Sequence, residues 1–158
     1  VAKPVIGAIN GPCVTGGLEI ALACDFLFAS DRARFADTHA RLGVLPRWGM
    51  SAALPRAVGL RYAKELTATG MAIDATEALR IGLVNHVVPH DELGVRTREL
   101  ADRIRAANGA AVVASLQLYD VGQNLTLDAA VDLEVERSAA WVVDLTGFGS
   151  PARTPTTP

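Results

Sequence analysis

A carboxylate and two adjacent glycines meet at one corner of this chain. Gly16 and Gly17 fall where a continuous apolar run gives way to a short helical pattern, and Glu19 follows Gly16 by three residues. Without a Cβ, glycine lets the backbone take unusual angles or approach a ligand closely. The first amides of a helix have no intrahelical acceptor and sit at the positive end of its dipole. Such a corner can hold an anion or a developing oxyanion. Glu19 lies on the same side of the first turn, with its side chain tilted back toward the helix start. Donor amides and a carboxylate thereby converge on one spot. A plainer reading stands beside this one: an acid in the first turn steadies the dipole and needs no chemistry. These residues alone do not choose between them.

The elements that must position this corner read as follows. An apolar, β-branched run over 4–9 suits a strand covered on both faces, and Asn10-Gly11-Pro12 punctuates it. The helix over 16–24 is apolar nearly all round, which predicts burial. A second buried strand is expected over 25–30 and a short edge strand over 34–37. Residues 38–46 are irregular and carry His39, Arg41 and a turn at Gly43. A short helix from Trp48 should halt before Pro55. A clearer one over 60–69 carries Leu60, Ala63 and Leu66 on one face and stops at Gly70. Asp74 and Glu77 have capping-box spacing and open a helix that ends by Gly82. The last strand is expected over 83–88. After it the pattern is helical: over 91–107 with Leu93, Leu100, Ile104 and Ala107 inward, over 112–121, and from Thr126 as N-cap to about residue 143. The final helix would turn Leu127, Val131, Val135, Ala139 and Val142 to one side. Residues 146–158, with four Thr, three Pro and two Gly, are expected to be a disordered tail. Strands alternating with helices, then helices only, argue for an α/β layer with a helical extension.

Composition narrows the classes of function. The chain has 158 residues, half of them hydrophobic and a fifth charged, which suits a globular domain with a substantial core. A formal net charge of -2 gives no overall attraction to nucleic acid or anionic membranes. Residues 31–64 hold seven basic side chains against Asp31 and Asp37, a stretch able to face a phosphate-bearing ligand but equally a solvated surface. Few aromatics and no recognised motif argue against a nucleic-acid module. The uncharged run over 4–18 is too short to span a bilayer. Two cysteines, Cys13 and Cys24, argue against a disulfide framework or a zinc site and fit a reducing compartment, so a cytoplasmic location is expected. The chain opens on Val1 and runs straight into a strand, which leads us to expect a fragment.

The stretch Ala8-Ile-Asn-Gly-Pro-Cys-Val-Thr-Gly-Gly-Leu-Glu-Ile-Ala-Leu-Ala-Cys-Asp25 resembles the crotonase, or enoyl-CoA hydratase/isomerase, superfamily. The likeness continues through Phe35-Ala-Asp, Leu42-Gly-Val-Leu-Pro46, Leu54-Pro-Arg-Ala-Val-Gly59, Leu66-Thr-Ala-Thr-Gly70 and the stretch from Ala75 to Pro89, so it reaches from Val1 to about Asp144. It implies a spiral of ββα units over 1–89, as the C-terminal part of the α/β core. Helices over 90–145 would follow and support homotrimers, often paired into hexamers. It also implies an acyl-CoA substrate, with coenzyme A as part of the substrate and no cofactor or metal bound. By motif position, the amide at Gly16, beside Gly17, resembles one of two donors that polarise the thioester carbonyl. Glu19 falls on the first of two family carboxylates.

Three departures accompany the resemblance. The resemblance puts the family's second oxyanion donor in an N-terminal segment ahead of Val1, so it is expected to be missing from this chain. The second carboxylate of typical hydratases would fall at His39. The tail is unlike the family's usual C-terminus. His39 therefore reads either as an imidazole sharing acid–base work with Glu19 or as a polar pocket residue without chemistry. Asp37-Thr-His39 could also be taken as a metal pair, but it has no third ligand candidate. Arg47 and Trp48 stand where the family has a small glycine-rich turn, and are expected to shape the acyl pocket or simply join the core. His86 and His90 receive no role. The expected activity is hydration of the 2,3 double bond of an enoyl-CoA. Double-bond isomerisation and a truncated, non-catalytic chain are the alternatives.

Overall fold

The computed structural model describes residues 3–142, so the tail over 146–158 lies outside the described residues. Contacts divide the chain into two units, one through Ala101 and one from Asp102 onward. The first opens with β1 (Ile6–Ile9), β2 (Pro12–Val14), α1 (Gly16–Leu22), β3 (Phe26–Ser30) and β4 (Arg34–Ala36). Helices α2 (Met50–Val58) and α3 (Leu60–Thr69) follow, then β5 (Ile73–Asp74), α4 (Ala75–Arg80), β6 (His86–Val88) and α5 (Leu93–Ala106).

The strands form two three-stranded sheets, in the orders β1-β3-β6 and β2-β4-β5. Each pass of the chain lays one strand on each sheet. Strands β1 and β3 pair in parallel with Ile9 opposite Ala29, and β2 and β4 in parallel with Cys13 opposite Phe35. Parallel neighbours need a crossover, and α1 supplies it. Leu18 and Ala21 on that helix are buried with Phe35, Met50, Leu54 and Leu66 in the main core. A smaller cluster of Phe28, Val88 and Leu93 lies under the start of α5, with Ile6 and Leu100 packed against it.

Several expectations are corrected. Helix α1 is not buried all round: Ile20 is 63% exposed, because a seven-residue helix offers only one face to the core. Helix α2 does not halt before Pro55 but runs through it to Val58. The lost N–H would have met the carbonyl of Ser51, an exposed residue that solvent can reach, which lowers the cost of an interior proline. Leu60 is exposed while Ala63 and Leu66 face the core. Leu83 and Val84 are buried but precede the strand, which begins only at His86. Asn85 sets that start, its amide donating to the Leu27 carbonyl at 2.9 Å and its side-chain oxygen accepting from Leu27 N–H at 2.7 Å.

The Asp74 cap forms, accepting from Glu77 N–H at 2.8 Å. The reciprocal half of the capping box does not, because the Glu77 carboxylate is taken by Tyr62 Oη at 2.5 Å and by Arg80 Nε at 2.6 Å.

The second unit contains the helical pair α6 (Gly109–Gly122) and α7 (Leu127–Ala139). Asn108 caps α6 through its side chain at 3.0 Å to Ala111 N–H, and Thr126 caps α7 at 3.4 Å to Ala129 N–H. A Cβ on Gly122 would lie 3.6 Å from Ala130, so the two helices meet closely there. The side of α7 that carries Leu127, Val131 and Val135 faces outward, with Leu127 79% exposed and the two valines also exposed. Ala130 and Leu133 are the half-buried positions.

Candidate active site

The site is built on the turn between β2 and α1. Thr15 sits there at φ 51° and ψ -115°, a backbone region that a β-branched residue rarely occupies. It is held by its own N–H donating to the Ala36 carbonyl at 3.0 Å and by a hydroxyl contact with Thr38. The bend starts α1 abruptly. Its first helical bond runs from Glu19 N–H to the Thr15 carbonyl at 3.0 Å, so the amides of Gly16, Gly17 and Leu18 precede the helical ladder. The Trp48 ring lies over Gly16: a Cβ there would come within 3.1 Å of Cζ3. Gly17 borders open space.

Glu19 is only 4% exposed. Its Oε1 accepts from the main-chain N–H of Trp48 at 2.7 Å and of Arg47 at 3.2 Å. Its Oε2 lies 3.5 Å from His39 Nε2. His39 is buried as well, at 5% exposure. It comes from the stretch after β4 and opens a 3-10 turn, Ala40–Leu42, whose backbone is pinned by Leu42 and Val44 N–H donating to the His39 carbonyl at 3.1 Å each. Glu19 and His39 thus arrive on different elements and meet out of water.

Behind the imidazole stands Asp37, fully buried. Its Oδ1 is 2.7 Å from His39 Nδ1 and also accepts from His39 N–H at 3.1 Å. Its Oδ2 accepts from Thr67 Oγ1 on α3 at 2.7 Å. Burial pushes the Asp37 carboxyl up, but the Thr67 hydroxyl and then the ring and backbone N–H of His39 outweigh it, leaving it below its ordinary value. Asp37 is therefore a carboxylate, an acceptor only, and Nδ1 must carry a proton toward it. The half-buried Thr67 and the buried Asp37, His39 and Glu19 form one polar chain that ends on two backbone amides.

The structure thus brings Gly16, Glu19, His39 and Trp48 together. Arg47 contributes its main-chain amide, while its side chain is exposed. Asp37 and Thr67 were not singled out for this purpose from sequence. The Asp-x-His spacing is the signal that could have found the first, since Asp side chains commonly bond to the backbone two residues on. Cys13 lies beneath the turn with Sγ 3.4 Å from the Gly17 carbonyl. Burial, with the nearby Cys24 adding to it, pushes its thiol up to about 11. His86 tilts against the Phe28 ring at 4.4 Å, and His90 Nδ1 lies 3.0 Å from Ser30 Oγ. Both contacts are away from this chain of groups. Among the described residues, no group of three or more His, Cys, Asp or Glu could hold a metal ion.

Comparison with known proteins gives the class. The family model described as enoyl-CoA hydratase/isomerase matches residues 1–140. The chain belongs to the enoyl-CoA hydratase/isomerase family, and its α/β fold is the crotonase-like spiral. It is 43% identical over 144 residues to a probable peroxisomal enoyl-CoA hydratase 1 of Arabidopsis thaliana, covering 91% of this chain and 54% of that protein. It is also 43% identical over 134 residues to a short-chain-enoyl-CoA hydratase of Clostridium acetobutylicum, covering 85% and 51%. The crystal structure of an enoyl-CoA hydratase from Mycobacterium tuberculosis superposes with a TM-score of 0.76 at 51% identity, over 89% of this chain and 62% of that one. The chain spans about half the length of the curated relatives it matches. No helix among the described residues is long and apolar enough to cross a membrane.

Proposed function

We propose that this chain carries the acid–base pair and one oxyanion amide of an enzyme that hydrates the 2,3 double bond of an enoyl-CoA thioester. The observation that carries this reading is the buried Glu19–His39 pair, 3.5 Å between Oε2 and Nε2, one helical turn from the unladdered Gly16 amide. The Gly16 N–H takes the thioester oxygen as it gains charge, acting as an oxyanion donor. Water's hydroxyl adds to C3 while its proton passes to Glu19 Oε2. The enolate then takes at C2 the proton that His39 Nε2 holds, and the carbonyl reforms. One proton leaves the water and one reaches C2, so atoms balance. The exposed ring of Trp48 borders the acyl group, and coenzyme A enters only as part of the substrate.

Isomerisation between 3-enoyl and 2-enoyl thioesters is a second reading, favoured by the same distance, since a pair that close can shuttle a single proton. The outward apolar face of α7 (Leu127, Val131, Val135) supports assembly into homotrimers or hexamers. Two free thiols support a reducing compartment such as the cytoplasm.

The test is turnover of crotonyl-CoA by the full chain, with 3-enoyl-CoA run in parallel. Glu19→Gln is expected to lower kcat by at least about 100-fold. An inert parent chain, or unchanged turnover in the variant, removes the proposal.

A further inference from the structure

We propose that Asp37, supported by Thr67, is a positioning residue that fixes the tautomer of His39 and makes the Glu19–His39 pair self-resetting. The inference rests on the reading just given and deepens it. An imidazole has two nitrogens, and which one carries the proton in the neutral ring is decided by the partner of the other. Here Asp37 Oδ1 lies 2.7 Å from Nδ1 and accepts the His39 backbone N–H as well. Thr67 Oγ1 holds the second carboxylate oxygen at 2.7 Å. The His39 backbone N–H and the Thr67 hydroxyl both donate toward Asp37, which holds the carboxylate in place with Oδ1 turned on the ring. Neutral His39 is therefore protonated at Nδ1, and Nε2 is left as an acceptor turned on Glu19.

That orientation has a chemical consequence. With Nδ1–H directed at Asp37, Nε2 and Glu19 Oε2 are both acceptors 3.5 Å apart, close enough for one proton to pass between them. In the forward step the water's proton ends on Oε2 and the Nε2 proton ends on C2. The pair is then left with its charges exchanged: neutral carboxyl, neutral imidazole. Transfer of the Oε2 proton to Nε2 restores the carboxylate and imidazolium directly, with no exchange of protons with bulk water. Asp37 stabilises the imidazolium so formed, and the opposite tautomer would block the return.

The charged groups facing the ring are few. Glu19 approaches from α1 and Asp37 from the same stretch as His39, while α3 presents the uncharged Thr67. Arg41, on the 3-10 turn, is directed to the Gly70 carbonyl at 3.3 Å. Arg47 reaches Glu19 through its main chain.

Two measurements on the full chain test this. Long-range 15N–1H NMR of the imidazoles, with the His39→Gln spectrum assigning the signal, should show the Nδ1–H form for neutral His39. In Asp37→Asn the amide NH2 can turn to Nδ1 and favour the Nε2–H form. This readout needs no substrate and no activity. In turnover, Asp37→Asn should lose about 100- to 10000-fold in kcat with KM changed less than about 3-fold, and its pH profile should shift. Should Asp37→Asn fold poorly, Thr67→Val should lower kcat about 3- to 10-fold and Thr67→Ser restore it, because only a hydroxyl donor holds Asp37 in place. An Nε2–H tautomer in the parent chain, or a tautomer and pH profile unmoved by Asp37→Asn, would overturn the proposal. An inert parent with the Nδ1–H tautomer would instead count against the hydratase reading alone.

Discussion

Replacing Glu19 separates what its shape does from what its charge does. In Glu19→Ala, both main-chain donors on Oε1, Trp48 N–H at 2.7 Å and Arg47 N–H at 3.2 Å, lose their acceptor. A hydrogen bond to a charged group contributes about 1.5–3 kcal/mol when buried. Arg47 and Trp48 are exposed residues, so water can reoccupy their amides and the lower figure applies to each. The alanine variant should therefore lose about 3 kcal/mol. In Glu19→Gln, the amide oxygen still accepts from both donors, and only the charge assistance, roughly half of each bond, disappears. That loss is about 1.5 kcal/mol. The glutamine variant should thus be the more stable by about 1.5 kcal/mol, or roughly 3–6 °C in Tm for a chain of this length. Urea midpoints and thermal scans of the two variants measure the difference directly. Equal stability of the two, or a more stable alanine variant, would show that the backbone anchor is not what holds Glu19, and the account of the corner would fall with it.

Two further outcomes are expected. Gly70 has φ +59°, and a Cβ there would lie 2.2 Å from Arg41 Cδ, so Gly70→Ala should cost about 1–3 kcal/mol, read as a lowered urea midpoint; an unchanged midpoint would contradict the close approach of Arg41. The Asp37 carboxyl is held below its ordinary value in the folded chain, so its contribution to stability is full above the unfolded carboxylate range and is lost as pH falls through that range toward the folded value. Between about pH 5 and pH 3 the parent should lose more stability than Asp37→Asn, measured as urea midpoints at each pH. Glu77, pulled down to about 2 by Arg80 first and Tyr62 second, adds the same acid loss to both proteins and cancels in the comparison.

The parts of the site that a sequence reveals are those with a local cause. Gly16, Gly17 and Glu19 belong to a strand–turn–helix junction whose chemistry lies within five residues, and their arrangement follows from helix geometry alone. Thr126 and Asp74 were legible as caps for the same reason. His39 was legible only through the family pattern, because its partner Glu19 is twenty residues away. Thr67 was not legible at all, since nothing local ties an α3 hydroxyl to a carboxylate thirty positions earlier. Periodicity put Leu127, Val131 and Val135 on one side of α7 but could not say whether that side meets a core or a surface. It misled at Pro55 because the sequence does not show whether the carbonyl four residues back is open to water.

The anchoring of Glu19 Oε1 by main-chain amides has an evolutionary consequence. Peptide N–H groups are the same in every residue except proline, so the side chains at positions 47 and 48 are released from any duty to the Glu19 carboxylate. Their side chains can drift while the carboxylate stays where it is. A lineage built on this corner can change the surface beside Glu19 one substitution at a time without moving the carboxylate.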